Sequence, residues 1–247
     1  MAVQIHYEIA AMIFMLAATL VFTHQRHLRV YRSSLFFWLM LLGVVTAVCD
    51  VFCGIVMYHS VPGWLGIIAQ SAFLIVSMVY SVIYSMYAME LLHRLDYIYV
   101  HRVLWCIPFV IGITAIVITP FTGLLYRFDA NGMFYKNGWY YLVAGICIVY
   151  ILVPLLLMQK VSFVSRRIKK WIVAIPVAVV MAKIIQYTVF PNFLLAYAVN
   201  SVMVFCCYLF LQNSDYYMDE VTGFFKMHGF EETVREKMAY KEECSVL

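Results

Sequence analysis

Apolar residues run through this chain in long stretches, each ended by a short cluster of polar or basic residues. Seven such stretches separate cleanly, at about 7–22, 35–58, 64–92, 103–119, 139–158, 171–190 and 193–211. Each approaches or exceeds the ~20 residues that a helix needs to cross a hydrocarbon layer. The breaks carry turn chemistry. Ser60-Val61-Pro62-Gly63 is a tight turn, since Pro presets one backbone angle and Gly permits the other. Pro191-Asn192 is another turn, and Pro108 can kink the fourth stretch. The longest break, 120–138, has Asn131-Gly132 at its middle with Phe128 before it and Phe134 and Tyr135 after it. Asn-Gly favours the positive φ of a two-residue hairpin turn, so a small β-hairpin is expected there. The fold class that follows is an all-α polytopic membrane protein of seven transmembrane helices with a short external hairpin.

Composition agrees. The chain is 65% hydrophobic and 12% charged, against about 25% charged in a soluble domain. No Lys or Arg precedes Arg26, so the first stretch reads as a retained helix and not as a cleaved leader. With seven spans, one set of connections holds ten basic residues: Arg26, Arg29, Arg32, Arg94, Arg102, Lys160, Arg166, Arg167, Lys169 and Lys170. The other set holds two, Arg127 and Lys136. Basic residues stay cytoplasmic, which puts the N-terminus outside and the C-terminus inside. The seven Cys residues show no Cys-x-x-Cys spacing, and the histidines make no metal-ligand pattern.

Ionisable groups within a span are expensive and mark candidate sites. Asp50 and Lys183 are the two clear ones, each seven or eight residues from the external end of its span. Gln70 lies six residues into the third span and Asn200 seven into the seventh. All four are expected near one depth, either as an outward-facing pocket for a small ligand or as a polar clasp between helices. Ser77, Ser81 and Ser85 recur every four residues on the third span with Tyr80, Tyr84 and Tyr87 nearby. That row predicts close helix packing, with the lining of a cavity as the alternative. No nucleophile–base constellation and no Gly-rich phosphate loop is present, so no catalytic residue is assigned within the chain and no nucleic-acid partner is expected.

Beyond the last apolar stretch the chain becomes charged. Asp219-Glu220-Val221-Thr222-Gly223-Phe224 continues through Phe225-Lys226-Met227-His228-Gly229 to Phe230. This segment resembles the opening of a GGDEF domain, the catalytic module of bacterial diguanylate cyclases. That family opens with Asp-x-Leu-Thr-Gly-Leu-x-Asn-Arg and a Phe three residues later. Asp219, Thr222, Gly223 and Phe230 match, Val221 and Phe224 replace the two Leu, and Lys226-Met227 replace Asn-Arg.

The resemblance implies three regions: a seven-helix sensor over 1–212, a helical connector over 213–218, and the truncated start of an α/β GGDEF domain over 219–247. It implies a bacterial inner-membrane protein that pairs as a homodimer through its cytoplasmic output. The completed domain would make cyclic di-GMP from GTP with magnesium. The family's nucleotide- and metal-binding residues lie past the matched stretch, so residues 1–247 alone are expected to turn over no GTP. The alternative is a seven-helix transporter or receptor with an unrelated soluble tail. The charge asymmetry makes the first prediction: a single Cys placed in 120–138 reacts with a membrane-impermeant maleimide in intact cells. Reaction only after permeabilisation would reverse the orientation.

Overall fold

The computed structural model describes residues 6–24, 34–58, 62–92, 95–129, 134–159, 166–188, 196–209 and 234. Its elements are α1 (His6–His24), α2 (Ser34–Tyr58), α3 (Gly63–Leu91), α4 (Leu95–Val100), α5 (Arg102–Thr122), β1 (Tyr126–Phe128), β2 (Phe134–Lys136), α6 (Tyr140–Met158), α7 (Arg166–Thr188) and α8 (Ala196–Cys207). Four helices, over Ser34–Val56, Gly63–Leu91, Arg102–Thr122 and Tyr140–Met158, are long and apolar enough to cross a membrane. Ile9–Thr23 is a shorter apolar helix. Helix α5 leaves Val103, Leu104, Ile107, Val110, Ile111, Val117 and Ile118 exposed. So broad an apolar surface is compatible with lipid and not with water.

The helices pack largely in chain order. α1 lies on α2, α2 on α3, α5 on α6, α6 on α7 and α7 on α8, and α8 closes back onto α1. Helix α3 is the longest at 29 residues, and it also touches α5, α6 and β1. One core gathers Phe22, Phe36, Tyr87, Leu92, Ile168 and Tyr208. These residues come from the end of α1, the start of α2, the end of α3, the start of α7 and the chain just after α8. The helix ends that flank the basic stretches therefore meet at one end of the bundle. A second core holds Leu74, Met78, Ile116, Leu125, Tyr126, Val143 and Tyr150 and runs to the other end, where the hairpin sits.

The hairpin appears where Asn131-Gly132 predicts it. β1 and β2 pair antiparallel in the register Tyr126↔Lys136, Arg127↔Tyr135 and Phe128↔Phe134. Its base is tied by the Asn137 side chain, whose Nδ2 donates to the Gly123 carbonyl, and by Asn137 N–H to Leu125 O at 2.9 Å. The Asn131-Gly132 turn itself, the connector 213–218, and Asp219, Thr222, Gly223 and Phe230 lie outside the described residues.

Three boundaries differ from the apolar pattern. The polar break after α3 contains a helix, α4, with Asp96 in its first turn, where a carboxylate favours the helix dipole. Helix α5 runs through Pro120 to Thr122 and ends on Gly123 at φ 63°. A Pro in the last turn removes one backbone bond only, the one to the Ile116 carbonyl, and the Gly123 N–H still closes on the Thr119 carbonyl at 2.7 Å. Helix α7 begins at Arg166, inside the basic run that the apolar pattern left as a loop. Ile168, Ile172 and Ile175 are all buried. Their spacing of four and three places them on one face, so the helix propagates from core into the basic stretch.

Gly123 occupies a left-handed conformation that costs a β-carbon about 1–2 kcal/mol. Gly123→Val is expected to destabilise the protein by about that amount in thermal melts in nanodiscs. Gly123→Asn is expected to lose clearly less, because Asn tolerates the left-handed region. Equal losses would show that the backbone angle is not what selects glycine here.

Candidate functional site

Helix α3 carries eight amide and hydroxyl side chains, Gln70, Ser71, Ser77, Tyr80, Ser81, Tyr84, Ser85 and Tyr87. In an apolar medium each such group needs a partner. Their partners connect α3 to nearly every neighbour. Gln70 Nε2 donates to Tyr140 Oη on α6 at 3.0 Å. Ser71 Oγ and Tyr126 Oη of the hairpin lie 2.6 Å apart. The Tyr80 hydroxyl faces the Asn200 amide of α8, 2.8 Å from Nδ2 and 3.0 Å from Oδ1. Tyr84 Oη donates to the Ile172 carbonyl of α7 at 2.8 Å. Ser85 Oγ donates to the Tyr150 carbonyl of α6 at 2.5 Å. Tyr87 Oη lies 3.5 Å from Cys207 Sγ of α8. Ser81 instead bonds back to the Ser77 carbonyl of its own helix at 2.9 Å.

Two of these contacts have a cause in the sequence. Proline has no N–H, so it leaves the carbonyl four residues earlier without its helical partner. Pro154 lies within α6 and Pro176 within α7. The carbonyls they release are those of Tyr150 and Ile172, the two that Ser85 and Tyr84 engage. Tyr84 and Ser85 are adjacent, about 100° apart around a helix of 3.6 residues per turn, so they reach two different neighbours. Neighbouring hydroxyls repairing proline defects is the usual condition for prolines in spanning helices. A further hydroxyl contact runs the other way, at a carbonyl that no proline frees. Tyr150 Oη donates to the Trp105 carbonyl of α5 at 2.6 Å and receives the backbone N–H of Phe109. The hydroxyl is thus wedged into one step of the α5 ladder, just past Pro108.

The hairpin end of α3 is a polar nest under aromatic rings. Tyr126 is 1% exposed, and its hydroxyl also reaches the Ile67 carbonyl at 3.2 Å. Burial pushes its phenol above the ordinary value of 10, the Ser71 hydrogen bond partly lowers it again, and nearby Cys53 raises it. The group therefore stays protonated and remains a donor. Phe128 and Phe134 stack at 5.3 Å, with Tyr126 and Tyr140 each within 6.3 Å of Phe134. Gln70 is 1% exposed. Its Oε1 is one of two buried side-chain polar atoms without a partner among the described residues, the other being Trp105 Nε1. Leaving such an atom bare costs about 1–3 kcal/mol.

Of the four site residues expected from sequence, Gln70 and Asn200 have described contacts. Gln70 and Asn200 are both buried, but they take separate partners, Tyr140 and Tyr80. Their attachment points on α3 are ten residues apart, about 15 Å of helix rise, so the two amides do not form one layer. Asp50 is half-buried on α2, between Cys49 and Cys53. Lys183 lies on α7, and its side chain is outside the described residues, as is the geometry of any Asp50–Lys183 pair. No group of three or more metal-ligating side chains occurs among the described residues. The serine row, read as a packing face, divides its work: Ser81 satisfies itself within α3 and Ser85 bridges to α6. Tyr126, Tyr140 and Tyr150 have no place in the sequence reading, and Tyr84 and Ser85 enter it only within the packing row. Pro154 and Pro176 were the available signal for two of the contacts, since each names the carbonyl that a neighbour must satisfy.

A double-mutant cycle tests the proline repair. Tyr84→Phe alone is expected to destabilise by about 1–2 kcal/mol, the upper range for a hydrogen bond between membrane helices. Pro176→Ala restores an N–H for Ile172, so Tyr84→Phe in that background is expected to cost well under half as much. Additive losses would mean that Tyr84 does not serve the carbonyl freed by Pro176. No protein-family model, curated protein or solved structure matches this chain, and the functional reading rests on its own residues.

Proposed function

We propose that the chain is a seven-helix membrane sensor of a bacterial inner membrane, with its N-terminus outside. On this reading it passes the state of its hairpin end to a cytoplasmic GGDEF output that makes cyclic di-GMP. The seven spans are α1, α2, α3, α5, α6, α7 and α8. The excess of basic residues at one end supports the orientation. The output reading is supported by Asp219, Thr222, Gly223 and Phe230. Magnesium and GTP belong to that completed domain, and two copies must meet for one product, which implies a homodimer.

The observation that carries the sensor reading is the continuity of α3. At one end it holds the hairpin through Ser71 and the Ile67 carbonyl. Further along it holds α8 through Tyr80–Asn200 and Tyr87–Cys207. Helix α8 is the last described helix before Asp219. A shift or rotation of α3 driven at the hairpin moves the donors that grip α8. A ligand changes output this way only by binding one position of α3 more tightly than the other.

The test joins residues 1–218 to an active diguanylate cyclase domain and measures cyclic di-GMP formation in proteoliposomes. Asn200→Leu is expected to change the rate several-fold at equal inserted protein. A flexible Gly-Ser pair added after Ser214 is expected to erase that difference, because a flexible joint averages over orientations. A rate that Asn200→Leu leaves untouched would remove α8 from the signalling path.

A further inference from the structure

We propose that the hairpin end of α3 binds a small neutral phenol. Its ring would take the seat on Gly66 that Phe128 fills, and its hydroxyl would donate to Gln70. As the sensor's signal this rests on the reading above, but binding is measured on residues 1–247 without any output domain.

The seat is a bare piece of backbone. A Cβ built on Gly66 would lie 2.5 Å from both Cε1 and Cζ of Phe128, and one on Gly63 would lie 3.6 Å from the Phe128 Cβ. The phenyl ring thus rests directly on α3 where side chains are missing. Gln70 follows Gly66 by four residues, so the two share a face of the helix one turn apart, about 5–6 Å. Gln70 spends Nε2 on Tyr140 Oη at 3.0 Å and leaves Oε1 buried without a partner among the described residues. Phe128 fills the apolar half of this site but has no group to give the amide. A ring of the same size with a hydroxyl at its far edge supplies both. The Phe128 ring is then a tethered competitor for the ligand.

The surroundings select a neutral molecule. Lys136 Nζ already lies 5.0 Å from the Tyr140 ring centre and 6.0 Å from that of Phe134. A ligand cation would meet that ammonium, and a phenolate would lack the proton that Oε1 requires. Entry follows from the weakness of the cover. Each strand of the hairpin is three residues long, and a two-stranded hairpin is marginal by itself. Phe128 also packs against Cys53, Val56 and Ala69, so leaving its seat uncovers that small cluster but breaks no helical backbone bond.

Fluorine NMR of 4-fluorophenol and 4-fluoroanisole with the full chain in nanodiscs tests this. The two probes differ in the donor alone. The wild type is expected to show saturable binding of the phenol, about tenfold tighter than the ether, as a site built to meet a hydroxyl rejects the analogue without one. Gln70→Leu is expected to abolish that preference. Phe128→Ala is expected to tighten phenol binding several-fold by removing the tethered competitor, and Gly66→Ala to weaken it by filling the seat. The proposal is overturned by an absence of saturable binding, by equal affinity for the two probes, or by a preference that survives Gln70→Leu. Saturable binding with an unresponsive cyclase chimera would support this site and count against the output reading alone.

Discussion

A carbonyl freed by proline inside an apolar layer must find another donor, and this bundle is arranged so that it does. Pro154 and Pro176 each remove one helical bond, and adjacent residues of α3, Ser85 and Tyr84, replace both. Water would do the same work at no structural cost in a soluble protein. Hydrocarbon offers none, so the repair has to come from another helix, and it fixes where that helix lies. The positions of α6 and α7 relative to α3 are thereby specified by chemistry, in a setting where apolar side chains discriminate little between a neighbouring helix and lipid.

The same helix serves the rest of the molecule. Its first half supports the hairpin through Ser71, the Ile67 carbonyl and the bare backbone at Gly66. Its second half grips α8 through Tyr80 and Tyr87. A helix 29 residues long spans about 43 Å at 1.5 Å per residue, enough to reach from one face of a membrane to the other. An element so connected moves as a unit or not at all. The two ends differ in strength. The α8 end is held by buried contacts among packed helices, whereas the hairpin end is a short ribbon held by one tyrosine, one asparagine and an aromatic stack. The hairpin end is the weaker of the two.

Much of this was legible in the residues. Length, hydropathy and turn chemistry located the helices within a few positions, because a spanning helix must be continuously apolar and its neighbours must not be. Asn131-Gly132 announced the hairpin. The boundaries that moved did so for local reasons: the isoleucine face of α7 carried its helix into a basic run, and Gly123 let α5 pass Pro120 before stopping. The candidate site was less legible. Gln70 and Asn200 stood out as amides in apolar stretches and are buried and bonded, yet equal distance from a span end did not bring them together. Depth along a helix says nothing about which face a side chain occupies or which tyrosine it will meet.

What the sequence determined by itself is the kind of environment the chain requires and the placement and polarity of its apolar stretches. These follow from composition and period, which are properties of the chain taken residue by residue. Only the tertiary structure decided the pairings: Tyr84 with the Ile172 carbonyl, Ser85 with that of Tyr150, Tyr80 with Asn200, and Phe128 on Gly66. Each joins residues far apart in the chain. The choice among many chemically equivalent donors depends on helix rotation and separation, which packing settles and no local pattern encodes.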